Sequence, residues 1–452
     1  MRDYEPYFTE DGSIGLYSFA EKDVFHSKFG ALTEAWEKFV LPARLDEFEY
    51  DNLKVLDVCY GIGYNTKALM SFLINHEKFK KKNIFQKLIY IVAICTNKLF
   101  KRNKFLLSYI ESYNANKLSS FQIDCLDINE ELVKLSPLFR TVKTPGEIYD
   151  SIVPQILTCF DSYYTIRNIF INIFSRFSPK NKKEINELLD LKFKNMHIEK
   201  EYKINSYVNY ILMNSLAEYY KKDFPSKELI KMLREKKNRR FFDKSLIKYA
   251  KFNQKWGYNK SSRWSLSAFL HNIYYATLSR RYKKMNFKTA ESLFKVNFYV
   301  EDARKTILTL KDEYDLIFLD AFTYTKAPQL WTVEFIAELY KRISPQGLLM
   351  TYSTSALVRN TLLDNKFYVG NIYQKKTNKI IGTIASKDKT RIEHPLTPYE
   401  IGLCNTKAGI PYHDPNLSFD KKDIIELREY EFRHSDLMSS SKYMKIRSMR
   451  NE

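Results

Sequence analysis

Cysteine is scarce in this chain of 452 residues. No two cysteines have the C-x-x-C spacing of a zinc site or a redox pair, and so few are too scattered for a disulfide framework. We therefore predict no metal site and expect a reducing compartment. The five positions are Cys59, Cys95, Cys125, Cys159 and Cys404.

Long apolar runs and the common hydrolytic motifs are missing as well. The most apolar stretch, Leu88 to Cys95, is far shorter than the roughly 20 residues of a membrane span, and the first residues contain no apolar signal-peptide core. No Ser-His-Asp arrangement, H-E-x-x-H motif or P-loop ending in Lys-Ser/Thr is visible. A soluble cytoplasmic protein is expected.

The positive charge is abundant but unevenly distributed. The net charge is +20, and all of the excess comes from two blocks, residues 76–118 and 141–291. The first holds ten Lys and Arg against two Asp and Glu, and the second holds 30 against 14. These blocks are either solvated helix faces or inserted elements that bind a polyanion, and we favour the polyanion because the segregation is so uneven.

Five buried-strand patterns alternate with helical patterns, which predicts a Rossmann-like α/β sheet that ends in an antiparallel hairpin. The predicted strands are Lys54–Val58, Phe121–Leu126, Phe294–Val300, Tyr314–Leu319 and Leu348–Tyr352, the last preceded by a turn at Ser344–Gly347, and the hairpin comprises Phe367–Ile372 and Lys379–Ala385.

The domain plan follows from these patterns. Residues 1–52 form an N-terminal lid or substrate segment, and residues 53–390 form the core. The two basic blocks interrupt the core as insertions, the second largely helical. The tail, 391–452, contains a helix from Lys421 to Arg433, followed by a polar, loose end.

A glycine turn follows the first strand. In Asp57-Val58-Cys59-Tyr60-Gly61-Ile62-Gly63-Tyr64-Asn65 the backbone can approach a ligand closely at the start of a helix. Cys59 stands where a first glycine is usual, which weakens the motif. The strand before it and the helix after it restore its value.

Acids end the next two strands. Asp127 can hydrogen-bond the ribose hydroxyls of a nucleoside cofactor, or simply begin a helix. Asp302, followed by Ala303, lies where an adenine amino group would be, or is a helix cap. Since no further phosphate-binding set is present, these acids favour S-adenosylmethionine over NAD or ATP.

The fourth strand provides the strongest catalytic candidate. Asp320 follows four apolar residues at the carboxyl end of a strand, where α/β sheets bind ligands. A carboxylate there can accept a hydrogen bond from an amine, orient it and help to remove its proton. Phe322, Tyr324 and Trp331 could stack on an extruded base, although Trp331 is also consistent with core packing. Lys326 reaches either a phosphate or solvent.

Two further candidates precede the first strand. His26 and Glu34 lie in a segment that can fold over the cofactor as a lid. A single histidine in such a segment is also consistent with a purely structural role.

Together these residues resemble the MnmC-like methyltransferase family, which acts on the wobble uridine of tRNA. The resemblance covers about 1–75, 119–140 and 294–417, and it omits both basic blocks. It rests on His26-Ser27-x-x-Gly30-Ala31, Asp57…Gly61-x-Gly63-x-Asn65, Asp302-Ala303, Leu319-Asp320-Ala321-Phe322…Lys326-x-Pro328-x-x-Trp331 and Gly409-x-Pro411-Tyr412-x-Asp414-Pro415.

The resemblance implies a class I S-adenosyl-L-methionine-dependent enzyme that methylates the amine of 5-aminomethyl-(2-thio)uridine in tRNA. It implies that Gly61, Gly63 and Asn65 line the methionine and ribose part, Asp127 the ribose and Asp302 the adenine, while Asp320 holds the amine. Cys59 in place of glycine and Tyr324 in place of proline depart from the family pattern. No FAD-dependent oxidase fingerprint follows in this sequence, so only the methylation step is expected.

Two other functions fit the residues. One is an aminopropyltransferase or small-molecule methyltransferase on the same fold, which would not need the inserted positive charge. The other is a non-catalytic RNA-binding protein on a degenerate methyltransferase core, suggested by Cys59. Retention of all four strand-end aspartates argues against the second.

Overall fold

A seven-stranded sheet forms the centre of the molecule. The computed structural model describes residues 4–20, 22–45, 52–75, 120–143, 202, 204–220, 236–244, 246–247, 293–375 and 377–449. The strands are β1 (Tyr4–Phe8), β2 (Ile14–Ser18), β3 (Asp23–Val24), β4 (Asn52–Val58), β5 (Ser120–Asp127), β6 (Phe294–Val300), β7 (Tyr314–Leu319), β8 (Ile343–Thr351), β9 (Tyr368–Tyr373) and β10 (Ile380–Ser386).

The strand order β6-β5-β4-β7-β8-β10-β9 confirms the predicted Rossmann-like α/β class. The pairs formed by β4 to β8 are parallel, whereas β10 is antiparallel to both β8 and β9. The order reverses beside β4, and the crevice at such a point is where open α/β sheets bind ligands.

Both faces of the sheet are covered, which is why its strands are apolar throughout. In β7, Leu316 and Phe318 point into one core cluster, and Ile317 and Leu319 point into the other. All four side chains are fully buried.

Helices of different parts of the chain provide this cover. The helices are α1 (Ala31–Ala35), α2 (Tyr64–Asn75), α3 (Glu130–Leu135), α4 (Ala303–Thr309), α5 (Val333–Arg342), α6 (Ala356–Asp364), α7 (Pro398–Cys404), α8 (Lys421–His434) and α9 (Ser440–Met449). A further helix at 204–220 contributes Tyr207 and Val208 to the cluster that contains α2. The block 76–118 and most of 141–291 lie outside the described residues.

The structure differs from the sequence predictions in two places. The expected turn at Ser344–Gly347 is part of β8, because the strand bulges there: Tyr314 pairs with Ile343 but Leu316 pairs with Leu348. The prediction that the tail ends in a loose segment is also wrong. Residues Ser440–Met449 form the helix α9, although most of its side chains are exposed.

The N-terminal segment forms a separate small sheet, β1-β2-β3, which is antiparallel. It is joined to the glycine-turn helix by a buried hydrogen bond from the Ile14 amide to the Tyr64 hydroxyl, 2.7 Å long. Within the described ranges, no helix has the length and apolarity that crossing a membrane requires.

Candidate functional site

A cavity of about 610 Å³ opens at the carboxyl ends of the parallel strands. Most of the residues predicted from the sequence line it. They are His26, Glu34, Gly61, Asn65, Asp127, Asp302, Ala303, Asp320, Phe322 and Lys326. Asp57, Gly63, Tyr324 and Trp331 are not part of its wall.

Every second residue of the glycine turn, from Cys59 to Gly63, has a positive φ. They are Cys59 (68°), Gly61 (56°) and Gly63 (77°). Cys59 thus adopts the left-handed conformation for which a glycine is usual, at a strain of about 1–2 kcal/mol. The cysteine preserves the shape of the turn.

Gly63 packs closely against the side chain of Tyr60. A Cβ atom at this position would collide with the ring and hydroxyl of Tyr60. Tyr60 cannot move aside easily, because it is buried and its hydroxyl bonds the Ser136 hydroxyl at 2.7 Å.

We therefore expect Gly63→Ala to lower the free energy of unfolding by about 3 kcal/mol, since steric overlap adds to the strain of a positive φ. Urea denaturation would measure it. Gly61→Ala is the matched comparison, because its Cβ would meet nothing closer than 3.9 Å. Equal losses for both variants would contradict the proposed clash.

Asp127 ties the turn to the second strand. Its carboxylate accepts hydrogen bonds from the Gly61 amide (2.6 Å) and the Asn129 amide (2.7 Å). Burial raises the pKa of Asp127, and these two amides oppose the rise. The carboxylate faces the cavity at the end of β5, where it can accept further hydrogen bonds from a ligand.

Asp57 lies behind the turn and not in the cavity wall. It is fully buried, and Oδ2 accepts a hydrogen bond from the Thr66 hydroxyl at 2.6 Å. Burial, together with Asp320 and Asp127, raises the pKa of Asp57 to about 7. Its Oδ1 has no hydrogen-bond partner in the described part of the chain, so one buried acceptor remains unused.

Asp302 caps α4 at the end of β6. It accepts a hydrogen bond from the Arg304 amide at 2.9 Å, and the Arg304 guanidinium also bonds it. Burial would raise the pKa of Asp302, but the bonds to Arg304 outweigh this and lower it. Asp302 is therefore a fixed carboxylate that both caps a helix and borders the cavity.

Asp320 extends from the end of β7 into the same space. Its Oδ2 accepts a hydrogen bond from Asn65 Nδ2 at 2.9 Å, which links the two motifs across the cavity. Burial raises the pKa of Asp320, while His26, Asn65 and Lys38 act in the opposite direction. A partly desolvated carboxylate with one fixed oxygen suits the positioning of a polar substrate group.

The N-terminal segment brings His26, Glu34 and Lys38, among other titratable groups, to the cavity. Glu34 forms an ion pair with Lys38 at 2.9 Å and accepts the Ser27 amide. Burial would raise the pKa of Glu34, but Lys38 lowers it. Burial lowers the pKa of His26, against the attraction of Asp320 and Glu34, so the imidazole is neutral at pH 7.

Of the predicted site residues in the loop after β7, some line the cavity and others lie in the core. Phe322 lies in the wall with its ring 5.1 Å from that of Phe25, and Lys326 forms an ion pair with Asp23 across the opening. Trp331 is buried, and its indole donates to the Phe322 carbonyl at 2.8 Å.

Tyr324 also lies outside the cavity wall. Its ring lies 6.4 Å from that of Tyr412. The structure thus assigns Tyr324 and Trp331 to the support of the loop rather than to the cavity wall.

Sequence reasoning missed several wall residues. Lys38 and Tyr352 have no motif of their own, yet the Lys38 ammonium lies 5.9 Å from the Tyr352 ring centre in the cavity. The i, i+4 spacing of Glu34 and Lys38 was a usable signal, since it places both on one helical face. Tyr352 could be found only from the sheet order.

The strand-end carboxylates share one electrostatic environment. Burial raises the pKa of the Cys59 thiol well above its usual range, and Asp127, Asp320, Asp57 and Asp302 all raise it further. The thiol therefore stays protonated. The same negative potential favours a cationic ligand in this cavity.

One segment of the chain matches a known family. Residues 265–387 match a family of proteins described as S-adenosyl-L-methionine-dependent methyltransferases. This range contains β6 to β10 and with them Asp302 and Asp320. The match covers about a quarter of the chain, and over that segment the chain is similar to S-adenosyl-L-methionine-dependent methyltransferases.

Two individual proteins are also similar to this chain. An uncharacterized protein from Methanocaldococcus jannaschii is 33% identical over 135 residues, which make up 30% of this chain and 38% of that protein's length. The crystal structure of MnmC2 from Aquifex aeolicus is 17% identical, with a TM-score of 0.47 over 96% of this chain and 86% of that one.

The cofactor of this methyltransferase family is S-adenosyl-L-methionine, and the cavity suits its chemistry. The carboxylates of Asp127, Asp302 and Asp320 line the cavity and match a ligand that carries a sulfonium and an ammonium group. Gly61 has no side chain between the backbone and the cavity, so a ligand can approach the backbone there.

Proposed function

We propose that this methyltransferase N-methylates 5-aminomethyl-(2-thio)uridine at the wobble position of tRNA, giving the 5-methylaminomethyl form. The observation that carries the proposal is Asp320, a carboxylate at the end of β7 with one oxygen fixed by Asn65 and its cavity-facing surface free of other described side-chain bonds. An amine needs such an acceptor in order to be held with its lone pair directed at a methyl donor.

The cofactor is proposed to lie along the strand ends. Gly61 and Asn65 would border its methionine part, Asp127 would accept both ribose hydroxyls, and Asp302 with Ala303 would border the adenine. When bound, S-adenosyl-L-methionine supplies an electrophilic methyl group.

The proposed roles of the protein groups are to bind and orient the amine and to move its proton. Asp320 accepts an N–H of the substrate amine and helps to remove the proton as the new N–C bond forms. Lys38 lies in the same cavity, where it is paired with Glu34. Because burial lowers its pKa, His26 is neutral and adds no positive charge to the site.

A nucleobase is the substrate that best fits the aromatic wall. Phe25, Phe322 and Tyr352 line the same cavity as Asp320 and can stack on an extruded base. The basic blocks 76–118 and 141–291 would bind the phosphates of the tRNA.

We expect the purified protein to transfer labelled methyl groups from S-adenosyl-L-methionine to bulk tRNA that lacks this enzyme's modification. Nucleoside mass analysis should place the label in 5-methylaminomethyl-uridine or its 2-thio form. Affinity for tRNA should fall steeply with salt, roughly 1,000-fold between 50 and 200 mM for six phosphate contacts.

The control is tRNA that already carries the modification, which should accept no label. Cofactor binding without labelling of any tRNA would contradict the proposal, and the aminopropyltransferase or small-molecule alternative would then be tested with polyamines. Absence of cofactor binding would indicate a non-catalytic RNA-binding protein.

A further inference from the structure

We propose that Asp414, in the C-terminal segment, is a positioning residue for the adenine of the cofactor and acts through Arg304 on Asp302. The inference rests on the adenine-binding role proposed above for Asp302, but it does not depend on the RNA substrate. It gives a function to the Gly409-x-Pro411-Tyr412-x-Asp414-Pro415 motif, which supplies no residue to the cavity wall.

Arg304 holds two carboxylates at once. Its Nη2 and Nε donate to Asp302 at 2.7 and 3.2 Å, and its Nη1 donates to Asp414 Oδ2 at 2.8 Å. The Arg304 side chain is 13% exposed and Asp414 is completely buried. A guanidinium is planar, so its orientation at one carboxylate fixes its orientation at the other.

Asp414 is itself held rigidly. Its Oδ1 accepts the amides of Ser418 (2.8 Å) and Phe419 (3.0 Å), and its own amide donates to Glu334 Oε2 at 2.7 Å. Arg304 Nη1 also donates to the Phe419 carbonyl at 2.8 Å. The segment is therefore attached to the start of α4 by charged hydrogen bonds.

Of the three residues Asp302, Arg304 and Asp414, Asp302 is the one that lines the cavity. Its carboxylate is 23% exposed, while Arg304 and its own helix amide bond the inner side. Without Arg304 the carboxylate could rotate about its side-chain bonds, and without Asp414 the guanidinium would lose its second anchor. The geometry thus places Asp414 behind Asp302 as an outer support.

The test measures binding of S-adenosylhomocysteine and of its deaminated counterpart, in which the 6-amino group of the purine is replaced by a carbonyl, by calorimetry without RNA. Wild-type protein should prefer the amino form. Asp414→Asn should weaken S-adenosylhomocysteine about tenfold, the order expected for a charge-assisted hydrogen bond, and change the deaminated ligand little. The preference for the amino group should therefore fall.

Asp302→Ala should remove the same preference, and Asp414→Asn should then add no further loss. Asp420→Asn is the matched control, because Asp420 caps α8 nearby without contacting Arg304. If Asp414→Asn does not fold, Arg304→Lys, which keeps the charge but loses the planar fork, takes its place.

An equal loss for both ligands, or no loss for either, would overturn the inference and leave Asp414 a structural residue only. A wild-type protein that binds S-adenosylhomocysteine without preferring the amino group would overturn both the inference and the adenine role of Asp302. Failure to methylate tRNA would affect neither.

Discussion

Replacement of Asp320 by asparagine should reduce methyl transfer about a thousandfold, within the range for loss of a positioned acid–base group, while S-adenosyl-L-methionine still binds. The amide keeps an oxygen that can accept from Asn65, so the loop stays in place. It can no longer take a proton from the substrate amine or stabilise the positive charge that forms on it. Single-turnover kinetics with saturating cofactor and tRNA would measure the effect.

Asp315→Asn is the control for this variant. Asp315 lies in the same strand at the opposite end, where it accepts the Lys54 amide at 3.0 Å and is remote from the cavity wall. It should change stability but not the rate of methyl transfer. If Asp320→Asn turned over at the wild-type rate, Asp320 would have no part in the chemistry.

Replacement of Asp127 by asparagine should weaken S-adenosylhomocysteine about 100-fold, or about 3 kcal/mol, since hydrogen bonds to a charged group contribute roughly 1.5–3 kcal/mol each. The carboxylate now serves the Gly61 and Asn129 amides and, as proposed, two ribose hydroxyls. An amide has one acceptor oxygen and presents N–H groups to partners that also donate. Calorimetry would measure the dissociation constant.

Asp124→Asn separates binding from stability. Asp124 is buried in the same strand and accepts hydrogen bonds from Asn297 and the Tyr314 hydroxyl, both 2.6 Å, away from the cavity. This variant should be less stable yet bind S-adenosylhomocysteine as the wild type does. Equal weakening by both variants would show that Asp127 acts through the fold alone.

The parts of the site that sequence patterns predicted are those defined locally. An apolar strand followed by an acid is a pattern of a few residues, so Asp127, Asp302 and Asp320 could each be placed at a strand end. The parallel strands then bring these ends together whatever lies between them. The predicted hairpin is likewise confirmed, because its two strands are neighbours in the chain.

Contacts between distant segments could not be predicted in this way. The hydrogen bond between Arg304 and Asp414 joins residues 110 positions apart, and no hydrophobic periodicity of the sequence predicts it. Lys67 is a second example, since lysine is rarely found fully buried. It is fully buried with its ammonium bonded to the Ser136 carbonyl at 2.9 Å, and burial lowers its pKa to about 7.

The sheet order has a consequence for biosynthesis. The neighbours β5 and β6 are far apart in sequence, and the bond between Asp124 and Asn297 that joins them spans 173 residues. Such non-local pairing slows folding, because a long loop must close before the contact forms. In addition, β10 lies between β8 and β9, so β8 keeps an open edge until Ile380–Ser386 has left the ribosome. The nascent chain therefore exposes an apolar, unpaired strand late in translation, when chaperone protection matters most.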